Sequence, residues 1–292
     1  MIVYWLILPP FFLAQHLPLK LCYSIASILG DLVYVCWPSG RRNVIANMRH
    51  VLGPEASAKT VRRTARNSFR NYMKLLVDFA RVSVIEPAAL QDRLKGTGWD
   101  NLDKAFERGK GVLLVGIHLG NWEVAGAALA SSGYKVSAVS ETVGNEYINR
   151  LAIDLRARLG IELIPMEYAL KRVYKALRRN EAVGLVTDRP LPPAEGVPVE
   201  FFGRQIPWPA GPATLALRTG ASIVTGYLVR NADNDYVGEI YPPLEFDVTG
   251  DLERDIQFIT QRIVSLQEDV IRRYPDQWYM FRRMWLRESE LP

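Results

Sequence analysis

The chain has 292 residues, 49% of them hydrophobic, a net charge of +5, and two cysteines and three histidines. That length and apolar content give one large domain or two small ones with a well-filled core. The cysteine and histidine counts argue against a disulfide framework, a zinc pattern and a histidine-rich metal centre. The positive balance fits an anionic partner, be it nucleic acid, lipid headgroups or a phosphorylated substrate, without choosing among them.

Residues 1–37 are the least soluble part. Ile2 to Leu13 is almost wholly apolar but interrupted by Pro9-Pro10, and Leu19 to Trp37 is a second apolar run carrying Lys20 and Asp31. Neither is a clean span of about 20 uncharged residues. No small-residue cleavage site follows a basic start, which argues against a removed signal peptide. The segment reads as a membrane-associating N-terminal unit, residues 1–40, lying on or crossing the bilayer with Trp5, Tyr23, Tyr34 and Trp37 as interfacial anchors. A core hairpin is the soluble alternative. A helix from Ala58 to Ala80 then carries Arg62, Arg66, Arg70 and Lys74 at four-residue intervals, one stripe that is either a cationic face over anionic lipid or a solvated face.

From Gly96 to the C-terminus strands and helices alternate. The apolar run Gly111 to Ile117 predicts a strand buried on both faces, and Trp122 to Leu129 a helix. Strands follow at Lys135–Ser140, Ile161–Pro165 and Ala182–Thr187, with helices at Asn145–Leu159 and Tyr168–Arg179 between them. A Pro-rich loop leads to a helix over Ala213–Thr219, a strand pair over Ala221–Val229 and Tyr236–Glu245, and a long helix over Leu252–Arg273. The expected fold class is α/β, a mixed and largely parallel central sheet flanked by helices, forming one domain over residues 41–292.

His118 sits where the buried strand ends and a helix begins, the edge at which open α/β sheets bind ligands. Asn121 reads as the helix N-cap, and Glu123 in the first turn is close enough to fold back toward His118 as the carboxylate partner of a general base. Asp188-Arg189 stands at a second strand end, on the same edge if the strands are parallel. There is no Gly-x-Ser-x-Gly elbow and no Gly-rich phosphate loop. A base plus an anion stabiliser suffices for direct acyl transfer from a thioester, with backbone N–H groups around Gly120 and Asn121 as expected oxyanion donors.

The stretch His118-Leu-Gly-Asn-Trp-Glu123 has the H-x4-D/E pattern of glycerolipid and lysophospholipid acyltransferases, and its surroundings, "GIHLGNWEVAG", resemble more narrowly the lipid A biosynthesis acyltransferase family. That family includes late lipid A acyltransferases and phosphatidylinositol mannoside acyltransferases. "RRNVIANMRHVLG" at 41–53, "TDRP" at 187–190, "VEFFG" at 199–203 and "YPDQWYMFRRMW" at 274–285 extend the resemblance over almost the whole chain.

The resemblance implies a membrane-bound enzyme on the cytoplasmic face of a bacterial plasma membrane. It would move a fatty acyl chain from acyl-CoA or acyl carrier protein to a glycolipid hydroxyl, with no further cofactor and no metal. His118 would be the base and Glu123 its partner. Asn121, Arg156 or Arg158, Asp188, Arg189 and Glu200 would meet the substrates. Asp188-Arg189 is closer to the mannoside enzymes than to the lipid A enzymes, which often carry Gln or His at the second position. The competing readings are a lysophospholipid acyltransferase, a thioesterase or lipid hydrolase using water, and a non-catalytic lipid-binding protein.

Overall fold

The computed structural model describes residues 2–82, 84, 92–141, 145–189, 191–192 and 195–285. Four helices come first: α1 (Ile2–His16), α2 (Leu19–Cys36), α3 (Pro38–Leu52) and α4 (Ala58–Val82). The α/β part follows as β1 (Leu94–Thr97), α5 (Trp99–Glu107), β2 (Val112–Gly116), α6 (Trp122–Ser131), β3 (Val136–Ser140), α7 (Glu146–Arg158), β4 (Ile161–Pro165), α8 (Ala169–Arg178) and β5 (Ala182–Val186). It closes with β6 (Val197–Phe201), β7 (Arg204–Trp208), α9 (Gly211–Thr219), β8 (Ser222–Arg230), β9 (Tyr236–Ile240) and α10 (Leu252–Arg273).

Seven strands form one sheet in the order β1-β9-β8-β2-β5-β3-β4. All its pairings are parallel except β8 with β9, so the sheet is mixed and largely parallel, as the alternation of strands and helices predicts. β2 lies at its centre, between β8 and β5. Alternate residues of a strand face opposite ways. Leu113 and Val115 pack with Val173 and Leu177 of α8, Ala213 of α9 and Ile263 of α10 on one face. Val112 and Leu114 pack with Leu102 and Ala105 of α5, and Leu129 of α6, on the other. This two-sided burial is why β2 reads as an unbroken apolar run rather than an alternating one.

Two departures from the expected elements have local causes. β9 stops at Ile240 rather than Glu245, because Pro242 and Pro243 have no N–H for a strand ladder. The segments around Val199 and Trp208 pair as the hairpin β6–β7, whose turn places Phe202 at φ 51° and Gly203 at φ 72°, the left-handed pair that matches strand twist. At the N-terminus, α1 runs through Pro9 and Pro10, which remove two backbone donors without ending the helix.

Three members of the basic stripe on α4 pair with other parts of the chain, while Arg62 is exposed. Arg66 and Arg70 both reach Asp31 of α2 with N–O distances of 2.6 Å, and Lys74 donates to Asn234 at 3.1 Å. α2 crosses α4 at Gly30, where a Cβ would stand 2.6 Å from the Arg70 Cα. Tyr23, expected as an interfacial anchor, is buried and donates to Asp78 at 2.5 Å. The inner side of α2 is therefore protein-packed, while Leu21, Ile25, Ile28, Leu29, Leu32 and Val35 remain exposed on its outer side. Among the described residues α2 is the one helix long and apolar enough to cross a membrane. The expected anchor Trp5 has its side chain outside the described ones.

Candidate active site

Parallel pairing of β2 with β5 matches Gly116 to Val186. His118 and Asp188 each lie two residues past that matched pair, so the register alone brings them side by side at the carboxyl edge of the sheet. The His118 Nδ1 lies 2.7 Å from Asp188 Oδ1, and the His118 main-chain N–H donates to Oδ2 of the same carboxylate at 3.0 Å. Asp188 is fully buried. A third donor, the indole N–H of Trp278, reaches Oδ2 at 2.8 Å. A buried carboxylate so placed can only accept, which fixes the imidazole proton on Nδ1 and leaves Nε2 as the nitrogen able to take one.

The expected His118–Glu123 pairing is corrected by this geometry. Glu123 is buried at the start of α6, where Arg156 of α7 grips it with two guanidinium contacts, Nε to Oε2 at 2.9 Å and a shorter one from NH2 to Oε1. The Trp122 indole N–H adds a third at 3.0 Å. A planar guanidinium fork satisfies a carboxylate in both directions, so Glu123 is drawn toward α7 and Asp188 takes the imidazole. The ring of His118 meets Trp122 edge-on, with centroids 5.3 Å apart.

The loop that carries His118 is held from the C-terminal side of the chain. Gly120 N–H donates to Gln277 O at 2.9 Å, Asn121 N–H to Leu228 O at 2.7 Å, and Tyr279 N–H to His118 O at 2.8 Å. Gly120 sits at φ 65°, and a Cβ there would fall 2.0 Å from the Leu228 carbonyl oxygen, so only glycine fits. The same bonds overturn the expected oxyanion role of Gly120 and Asn121, because both N–H groups are already spent on carbonyls. Asn121 is the N-cap of α6, its Oδ1 accepting from Val124 N–H at 3.1 Å, and its Nδ2 turns inward to Asp78 and Tyr236.

A cavity of about 1270 Å³ opens at this edge and is lined mostly by apolar side chains. His118, Trp122, Glu123, Arg156 and Arg189 all line it. Arg189 pairs with Glu141 there, and burial together with neighbouring Arg282 pulls its guanidinium below the usual range. Tyr72 and Tyr279 line it too. Burial, then the charge of Glu123, raises the Tyr72 hydroxyl, and burial raises that of Tyr279, so both keep their protons at neutral pH and can donate.

The remaining expected contacts lie elsewhere. Asn121 is buried behind the loop, and Arg158 and Glu200 are exposed and outside the cavity lining, the main chain at Glu200 being held by Gln261 of α10. Of the basic pair on α7, Arg156 faces the site and Arg158 does not. Trp278 was legible only as part of the motif at 274–285, and nothing in its spacing points to Asp188. No group of metal-ligating side chains occurs among the described residues.

A model of bacterial lipid A biosynthesis acyltransferases matches residues 1–287. The chain is 29% identical over 259 residues to the phosphatidylinositol mannoside acyltransferase of Mycobacterium tuberculosis strain ATCC 25618 / H37Rv, covering 87% of this chain and 79% of the relative. It is 27% identical over 257 residues to the enzyme of the same name from Mycolicibacterium smegmatis, covering 87% of this chain and 82% of the relative. The chain therefore belongs to the bacterial lipid A biosynthesis acyltransferase family, and it is an acyltransferase.

Proposed function

We propose that the protein is a membrane-associated O-acyltransferase that moves a fatty acyl chain from a thioester, acyl-CoA or acyl carrier protein, to a sugar hydroxyl of a glycolipid of the phosphatidylinositol mannoside type. The observation that carries the reading is His118, paired with the buried Asp188, on the wall of a large apolar cavity. The Nε2 of His118 takes the proton of the acceptor hydroxyl as its oxygen attacks the thioester carbonyl. Asp188 stabilises the imidazolium that forms. Collapse of the tetrahedral intermediate breaks the C–S bond, and the imidazolium returns the proton to the departing thiolate. The thioester is already activated, so no covalent enzyme intermediate and no further cofactor is needed.

The Glu123–Arg156 pair supports this chemistry from beside the ring. Its guanidinium lies over the Phe79 face at 5.1 Å and lines the cavity, where it presents charge to an anionic headgroup or to the developing oxyanion. The outward apolar side of α2 supports attachment to the membrane, at the cytoplasmic face where thioester donors are available.

The test is product analysis of the purified full chain with a labelled palmitoyl thioester and phosphatidylinositol mannoside in detergent micelles. Label in an acylated glycolipid is the expected result. Free fatty acid as the only labelled product would replace transfer with hydrolysis. For the membrane side, Ile28→Glu with Leu32→Glu changes only exposed positions of α2 and should release the protein from vesicles; undiminished sedimentation with them would sink the attachment through α2.

A further inference from the structure

We propose that the cavity holds two hydrocarbon chains at once, one on each face of the sheet: the acyl chain of the thioester, and a chain that belongs to the acceptor lipid itself. The inference rests on the acyl-transfer reading and adds the substrate class of a second arm. The cavity, at about 1270 Å³, is larger than the roughly 300–1,000 Å³ of a site for one small molecule. Its lining contains consecutive residues of single strands, Leu114 with Val115 and Gly184 with Leu185. Neighbouring strand residues point to opposite faces, so the space reaches around the carboxyl edge onto both.

The arm under α5 and α6 has two small residues, Gly184 and Ala138, in its floor. Gly184 matches Leu114 on one side and Ala138 on the other, and a Cβ built at Gly184 finds its nearest neighbour at 3.6 Å, an ordinary contact. Leu114, Ala138, Gly184, Ala125, Gly126 and Leu129 all line the cavity, so it reaches over this row beside the packing of Leu114 on Leu102 and Ala105. The ring of His118 meets Trp122 of α6 edge-on, and His118, Trp122 and Glu123 all line the cavity beside this arm, so it adjoins the reacting atoms and takes the thioester's chain.

The other arm runs under α8 and α9, past Leu185, Tyr174 and Leu215. Its mouth is marked by Met166, 53% exposed, and Leu170, 66% exposed, both of which line the cavity. Lys171 and Arg172 stand beside them, also exposed. Large exposed apolar side chains next to cations at a cavity mouth match the boundary of an anionic lipid layer, where an apolar tail and a negative headgroup arrive together. A chain threaded from that layer draws its headgroup toward the sheet edge where His118 waits.

The test uses the full chain in detergent micelles and two unreactive probes, the hexadecyl thioether of coenzyme A and dipalmitoyl phosphatidylinositol, each titrated alone and with the other saturating. Binding is read by native mass spectrometry, beside Gly184→Leu for the first arm and Leu215→Trp for the second. Both probes should bind together in one complex. Leu215→Trp should weaken phosphatidylinositol and spare the thioether, and Gly184→Leu the reverse, by about tenfold for every two methylenes that can no longer be buried.

If Leu215→Trp fails to fold, Leu170→Trp at the exposed mouth serves instead. Mutual displacement of the probes, or both variants weakening the same probe, would overturn the two-arm proposal and leave acyl transfer standing. Phosphatidylinositol binding with no thioether binding would overturn the donor arm, and with it coenzyme A as the acyl carrier, and leave the second arm in place. Failure of both probes to bind would overturn both arms, while product analysis tests acyl transfer separately.

Discussion

Asp188→Asn is the substitution with the most specific consequence. In the native protein two fixed N–H donors, the His118 main chain at 3.0 Å and the Trp278 indole at 2.8 Å, converge on Oδ2. An asparagine must give its one oxygen to that pair, which forces its NH2 into the Oδ1 position, 2.7 Å from His118 Nδ1. That NH2 donates to Nδ1 and moves the imidazole proton to Nε2, the nitrogen that should accept one. The side chain keeps its shape and its other bonds, so the fold survives while the base is lost. Loss of general-base catalysis is worth about 10²–10⁴ in rate. A thousandfold fall, the middle of that range, corresponds to about 4 kcal/mol in the barrier at 1.36 kcal/mol per decade. The assay is kcat for transfer of labelled palmitate to phosphatidylinositol mannoside, with circular dichroism and the thermal midpoint as fold controls. A folded Asp188→Asn protein turning over within about tenfold of wild type would refute the tautomer argument.

Glu123→Gln should act more on stability than the dyad substitution does, because it leaves the Arg156 guanidinium charged and largely buried without its carboxylate. A loss of about 3 kcal/mol in urea unfolding is expected, the low end for a broken buried pair because Arg156 keeps some contact with the cavity; an unchanged midpoint would contradict it. The α2–α4 clamp should be acid-sensitive. Hydrogen bonds from Arg70 and then Arg66 hold the Asp31 carboxyl well below the ordinary aspartate range. A depressed carboxyl contributes stability above its unfolded pKa of about 3.9 and loses it as pH falls further. Between about pH 5 and pH 3 the wild-type Tm should therefore fall more than that of Asp31→Asn, and parallel curves for the two proteins would sink the clamp.

The sheet was legible because its signals are local and repeated. Short apolar runs alternating with helices of ten to fifteen residues force crossovers, and β2, β3, β4, β5 and α10 lie where their patterns place them. His118 was legible for the same reason, as a titratable ring at the end of a buried run. What was not legible depends on contacts between distant segments. Glu123 is five residues from His118 and Asp188 is seventy away, so proximity in sequence favoured the wrong carboxylate as the ring's partner. Only the register of β2 against β5 reveals the right one. Trp278 holds Asp188 from the far end of the chain, and the basic stripe of α4 left a lipid-facing and a solvated face equally open because the partner of Arg66 and Arg70, Asp31, lies in an apolar helix that reads as a membrane segment. The N–H groups of Gly120 and Asn121 looked free for an oxyanion for a similar reason: Leu228 and Gln277, whose carbonyls occupy them, come from elements far along the chain.

The central claim is that the Nε2 of His118 removes the acceptor proton while Asp188 holds the ring. The most direct measurement is kcat of His118→Ala for transfer to phosphatidylinositol mannoside, in protein whose thermal midpoint matches wild type. The account predicts a loss of about 10²–10⁴, no larger when combined with Asp188→Asn, since both remove the same base. Turnover within about tenfold of wild type, or a double variant far slower than either single one, would contradict it.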